Sequence, residues 1–215
     1  MVFKRLFGIG SSTENNERQL EDVRDLAAGD LLTFKQRLAL PEPIQGQTFE
    51  VSDVATYQYE DGVYMSLTLV GEQRNKVTLG FDPDDAHGEI DLGIVVPRND
   101  VLTLFDEDAF ARLWDATPGI ELEVIAKPDA YEPWCANRYT QVISDGVGFY
   151  FDRDCRGETL STRHDDDSEE LRYHECEGDD DRFTLSVEIW GDGETEVSLE
   201  VSCPPDVVET MWPGT

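Results

Sequence analysis

Residues 48–81 read TFEVSDVATYQYEDGVYMSLTLVGEQRNKVTLGF, and their alternation decides the fold. Val63, Met65, Leu67 and Leu69 fall on every second position, and Val77, Leu79 and Phe81 repeat the pattern, as strands with one buried face require. Tyr57 and Tyr59 continue the same parity. A three-residue turn at Glu60, Asp61 and Gly62 sets Tyr59 opposite Val63, Tyr57 opposite Met65 and Ala55 opposite Leu67, with glycine supplying the left-handed residue. A two-residue turn would pair apolar with polar side chains, so the register predicts three.

Outward from this stretch the same logic extends. Toward the N-terminus, residues 31–34 (LLTF) predict a strand, and LPEPIQGQ a proline-bearing loop into Thr48. Leu20, Val23, Leu26 and Ala27 recur at helical spacing and predict a helix over 17–28, ended by Gly29. Toward the C-terminus, 82–100 is irregular apart from a short strand at 93–96. A helix is predicted over 106–117, with Asp106 as N-cap, acidic Glu107 and Asp108 in its first turn, and Phe105 and Phe110 as a hydrophobic staple. Pro118 and Gly119 stop it, and its stripe of Phe110, Leu113 and Trp114 is read as cover for the sheet.

A strand follows at 120–126. A second hairpin is predicted around Ser144, Asp145 and Gly146, pairing Ile143 with Val147 and Tyr139 with Phe151. In a third, Phe183, Leu185, Val187 and Ile189 face Cys203, Val201, Leu199 and Val197 around Asp192 and Gly193. Between the two lies a surface loop with acidic triplets at 165–167 and 179–181 and one strand at 171–176. The fold class is therefore α+β, predominantly β, with antiparallel sheets built from several hairpins and two helices. One domain covers 17–204, with lobes at 17–118 and 119–204 as an alternative, a leader and linker at 1–16, and a tail at 205–215 in which Trp212 either pins to the body or stays free.

With 215 residues and 39% hydrophobic side chains, the chain can build a sizeable core. Acidic residues number 47 against 17 basic, a formal net charge of −30. Direct nucleic-acid binding needs a basic footprint and is excluded on that ground. The acidity reads either as a solvated surface, as in proteins from salty environments, or as mimicry of nucleic acid toward a basic partner. No apolar run is long enough to span a membrane and no export signal is present, so the expected location is the cytoplasm. Cys135, Cys155, Cys176 and Cys203 are irregularly spaced and read as reduced thiols.

The leader MVFKRLFGIG opposes the body in charge: Phe3, Leu6 and Phe7 share a helical face beside Lys4 and Arg5. It is expected to be detached by the linker SSTENN, and to offer a contact to a partner or to the membrane surface. Calcium is suggested by Asp152, Asp154 and Gly157, but Arg156 and Arg163 stand where further oxygen ligands belong. Zinc would draw on Cys155, His164, His174 and Cys176, which lack the spacing of a closed site. No metal or other cofactor is expected. Serine-elbow, zinc-protease, phosphate-loop and dinucleotide motifs are absent, and His87, His164 and His174 have no nucleophile paired with them in sequence, so catalytic residues are unassigned. Tyr131, Trp134 and Tyr139 could line a pocket, or pack a loop over a sheet.

The order of Phe3–Gly8, a polar linker, LLTF and LPEPIQGQTFEV resembles YjfK-like bacterial proteins of unknown function, over roughly the first 90 residues. Genes of that group are associated with those of PspA-like membrane-stress proteins, which implies an accessory role at the cytoplasmic side of the envelope. The function expected is a noncatalytic interaction or adaptor protein with a protein partner and a peripheral membrane contact through the leader. An acidic inhibitor of a basic protein, or a hydrolase with a site assembled only in space, stay open as alternatives.

Overall fold

The computed structural model describes residues 18–115, 119–160 and 167–214. Their strands are β1 (Leu31–Phe34), β2 (Thr48–Gln58), β3 (Val63–Gly71), β4 (Lys76–Phe81), β5 (Ile90–Val95), β6 (Glu121–Glu123), β7 (Arg138–Phe151), β8 (Glu169–Gly178), β9 (Phe183–Trp190), β10 (Thr195–Cys203) and β11 (Val208–Trp212). Two short helices, α1 (Arg98–Leu104) and α2 (Glu107–Ala111), follow β5. All strand pairs are antiparallel, in the order β11-β1-β2-β3-β4-β5-β10-β9-β8-β7-β6. A further pairing of Thr56, Tyr57 and Gln58 with Phe151, Tyr150 and Phe149 joins β2 to β7 and closes eight strands into a barrel.

The central stretch forms its three strands, but in a different register. Gln58 pairs with Val63, Tyr57 with Tyr64 and Thr56 with Met65, so the connection spans four residues, closed by Tyr59 N–H donating to the Gly62 carbonyl at 2.9 Å. The cause lies upstream. A bulge at Ser52 puts one extra residue between Val51 and Asp53, and every later side chain of β2 changes face. Val54 and Thr56 now lie with Leu67 and Met65, while Tyr57 and Tyr59 turn to the opposite side. Thr56 is buried there because its hydroxyl donates to the Arg153 carbonyl (2.9 Å) and accepts from Cys155 N–H (3.0 Å).

Other elements depart from expectation for equally local reasons. The predicted helix at 17–28 is reduced to one 3-10 turn, Val23–Asp25, capped reciprocally by Asp22 and Asp25. The second predicted hairpin does not form: residues 138–151 are one continuous strand, and Asp145, at φ 57°, makes a bulge and not a turn, because β8 pairs with both halves. The third hairpin keeps its faces but shifts by two residues, pairing Phe183 with Val201 and Val187 with Val197, with Gly193 at φ 88° in a tighter turn. The strand expected at 171–176 is present and longer, as β8, and it is a central strand paired on both sides and not an isolated piece of surface loop, while residues 208–212 of the expected tail pair with β1, Leu31 opposite Trp212. The helix expected over 106–117 ends early as α2 and a 3-10 turn at Arg112–Trp114, yet Asp106 caps it through Ala109 N–H (3.0 Å) and the Phe105 and Phe110 rings meet at 5.7 Å.

Aliphatic side chains of the barrel strands form one contiguous core with the surrounding elements: Leu67, Leu79, Leu92, Leu185 and Leu199 are fully buried, together with Leu32 and Phe34 of β1 and Leu104 and Leu113 of the helical arm. Burial of each such side chain is worth about 2 kcal/mol. The arm is seated by Gln141, whose Nε2 donates to the Leu113 carbonyl at 2.9 Å.

Candidate functional site

The other face of the same strands is polar, and it is the concave one. Tyr57 on β2 and Glu188 on β9 are separated in the closed sheet by β7 and β8, yet the phenol hydroxyl donates to Glu188 Oε2 at 3.4 Å. Only the inside of a curved wall brings such side chains together. Two adjoining cavities of about 770 and 320 Å³ occupy this interior and share Tyr57, Ser66, Thr78 and Glu196 as walls. All eight barrel strands contribute, so the cavities are the lumen.

Small residues keep the wall low. A Cβ at Gly93 would lie 2.5 Å from Thr78 Oγ1, and one at Gly148 would lie 2.6 Å from the Tyr59 ring. Tyr59 folds over Gly148 onto Tyr173, with centroids 4.7 Å apart, and packs against Tyr57 and Tyr64. Tyr57 continues to Tyr150 and Tyr150 to Trp190, each at 5.2 Å. Aromatic faces thus form a continuous band inside the barrel.

Beside the band, and on the same inner face, stands a set of carboxylates. Burial, and then the charges of Asp91, Glu188 and Glu175, push Glu200 up to about 8. Burial and the neighbouring Glu196 push Glu188 up to about 7, against a smaller lowering by the Tyr57 hydroxyl. Asp91, Glu175 and Glu196 are raised as well, chiefly by burial. Burial and the same acids hold Tyr57 and Tyr59 well above the usual phenol range, so they remain hydroxyl donors. Glu200 is enclosed by the wall, faces lumen solvent, and has no hydrogen-bond or ion-pair partner among the described residues. Of basic side chains, Arg74 and Lys76 line the wider cavity, and both are exposed.

This arrangement costs stability. Glu196 and Glu188 are direct cross-strand partners, and like charges so placed repel by roughly 0.2–1 kcal/mol. The hairpin tolerates it because Leu185, Val187, Val197 and Leu199 are buried on its other face, at about 2 kcal/mol each. An interior of this kind attracts positive charge, offers ring faces to a cation, and discourages anions.

The residues singled out from sequence lie elsewhere. Phe3, Lys4, Arg5, Leu6 and Phe7 fall outside the described residues, as does His164. Trp134 and Tyr139 are buried core side chains, Tyr139 accepting from Ala136 N–H at 3.0 Å, and Tyr131 donates its hydroxyl to Asp100; they pack the arm and line neither lumen cavity. His174 and Cys176 share a face of β8 as expected, but His174 Nδ1 accepts from Asp145 N–H (3.2 Å) beneath the Trp114 ring, whereas Cys155 sits against Thr56. Of the residues considered for zinc, the three that are described are therefore not gathered at one point. Asp154 is ion-paired to Arg156. All four cysteines are buried free thiols.

Fold and lumen define a class: a closed eight-stranded antiparallel barrel with an acidic, tyrosine-banded interior. The family described as Domain of unknown function (DUF4178) matches residues 43–200, a span that takes in β2 to β9 and most of β10, and the chain belongs to that family. No curated protein and no solved structure matches it. No helix among the described residues is long and apolar enough to cross a membrane.

Proposed function

We propose that the protein is a noncatalytic binding module whose barrel lumen takes a small, positively charged guest. Glu200 carries this reading: a carboxylate held inside the barrel, facing a cavity, without a partner in the protein. Ionising such a group there without a counter-charge is expensive, so it keeps its proton up to about pH 8, and a cation in the lumen would offset the cost of ionisation. Tyr57, Tyr59 and Tyr173 would present ring faces to it. Thermal unfolding with butylammonium, tetramethylammonium or butyrate tests the idea. A cation that binds the folded state raises the midpoint with concentration, butyrate does not, and Glu200→Gln removes the response. Equal stabilisation by butyrate, or no shift with either cation, would overturn it.

An interaction role toward another protein is a second reading, favoured by a groove of about 660 Å³ between α1, α2 and the β9–β10 turn. Leu102 and Trp114 are exposed on it, with Glu107 and Glu194 beside them, which suits a partner segment with apolar anchors and basic flanks. The leader is the auxiliary contact in this reading, and the membrane-stress association implied by the resemblance belongs with it. An acidic body is repelled by anionic lipid, so removal of residues 1–10 should abolish sedimentation with anionic liposomes. Sedimentation unchanged by that truncation would remove the leader's part.

A further inference from the structure

We propose that the lumen guest is an extended aliphatic amine carrying two or more ammonium groups. The inference rests on the cationic-guest reading and specifies the guest. Glu196, Ser198 and Glu200 alternate along the inner face of β10, and four residues of strand separate the two carboxylates by roughly 13 Å. Glu188 stands opposite Glu196, Ser186 opposite Ser198, and Glu175 pairs with Ser186 from the next strand. Negative groups therefore occur at successive levels along the lumen, and do not converge on one point. Among the described residues no three acidic, histidine or cysteine side chains lie close enough to hold one metal ion.

A compact cation can meet only one of these levels. An extended amine meets several, placing an ammonium at each and its methylene segments against the tyrosine band. The hydroxyls of Ser186 and Ser198, between the carboxylate levels, accept from an intermediate ammonium. The volume is ample: the two joined cavities are of the size that holds small organic ligands.

Isothermal titration of the full chain with spermine, putrescine, butylamine and magnesium chloride, in moderate salt to screen the exposed acids, reads the proposal directly. Affinity is expected to rise from butylamine through putrescine to spermine, and Glu196→Gln and Glu200→Gln are each expected to weaken spermine by about tenfold or more. Glu209→Gln, exposed on β11 and outside the walls of every cavity described, should leave spermine affinity unchanged and so separate lumen binding from general attraction to the acidic protein. If butylamine binds as tightly as spermine and Glu200→Gln weakens both, a cationic guest survives and the extended one falls. If Glu209→Gln weakens spermine as much as Glu200→Gln does, or magnesium competes spermine off at equal charge concentration, the lumen assignment is overturned. If no amine binds, both readings fail.

Discussion

Glu196 on β10 lies directly across from Glu188 on β9, both turned into the lumen, where an antiparallel pair gains most from opposite charges. The strain is relieved by removing one charge. Glu196→Gln is expected to stabilise the unliganded protein by roughly 0.5 kcal/mol at neutral pH, toward the lower part of the usual range because Glu196 is in contact with solvent. Urea unfolding measures it. Destabilisation by this substitution would mean that Glu196 is held by an attraction the geometry does not contain.

The raised carboxyls make stability depend on pH in a stated direction. In the unfolded chain a glutamate titrates near about 4.3, whereas folded Glu188 and Glu200 titrate near about 7 and 8. Between these limits the folded state holds protons that the unfolded chain has released, so their contribution is fully present below the lower limit and is lost as pH rises through 7 and 8. The unfolding midpoint should therefore fall between about pH 5 and about pH 9, and Glu200→Gln should flatten the slope. Acidic groups elsewhere repel one another increasingly over the same range, so the difference between wild type and variant is the decisive quantity. Parallel slopes would remove Glu200 as the cause.

Cation binding should carry the same signature with the opposite sense. A guest ammonium favours the ionised carboxylate, so binding expels protons from Glu188 and Glu200 and tightens as pH rises through 7 and 8. Titration calorimetry in buffers of different ionisation enthalpy reads the protons released. A pH-independent affinity with no proton release would place the guest away from these two side chains.

Gly148 makes room for the aromatic band. Its missing side chain is where the Tyr59 ring lies, and that ring is boxed by Tyr57, Tyr64 and Tyr173. Gly148→Ala should cost roughly 1–3 kcal/mol, since the added Cβ would lie 2.6 Å from the Tyr59 ring and push it off its packing on Tyr173. Near-ultraviolet circular dichroism, sensitive to stacked tyrosines, should change with it. An alanine variant of wild-type stability would show that the band yields.

How much of this was legible in sequence follows from the same residues. The aliphatic alternation of Met65, Leu67, Leu69, Leu185 and Val187 marks strands and their buried face unambiguously, because period two has one physical cause. It is blind to curvature. Ser186, Glu188, Ser198 and Glu200 read as ordinary solvent-facing positions, and only the pairing of Tyr57 with Tyr150 turns that solvent face into a lumen. The bulge at Ser52 had no sequence signal beyond two misplaced polar residues, and it exchanged the faces of Thr56 and Tyr57. A clue lay in the tyrosines themselves: five of them, at 57, 59, 64, 150 and 173, share the polar face with carboxylates, an odd composition for a surface open to water.

The sheet edge beyond the barrel is tied by Asp30, which is fully buried. Its carboxylate accepts from Ala27 N–H at 2.7 Å and from Gly214 N–H at 2.8 Å, and pairs with Arg18. One side chain thereby joins the segment entering β1 to the residue just past β11. Asp30→Ala leaves two backbone donors without their acceptor, each costing about 1–3 kcal/mol, while the half-exposed Arg18 returns to solvent at little cost. A loss of about 3 kcal/mol is expected in urea unfolding. Hydrogen exchange should accelerate at β1 and β11 before β3 and β4, because the barrel closes without them. Amine binding in the lumen should be unaffected, since Asp30 lines none of its wall. Uniform loss of protection across β3 and β4 would show instead that the β1–β11 edge is part of the barrel's cooperative unit.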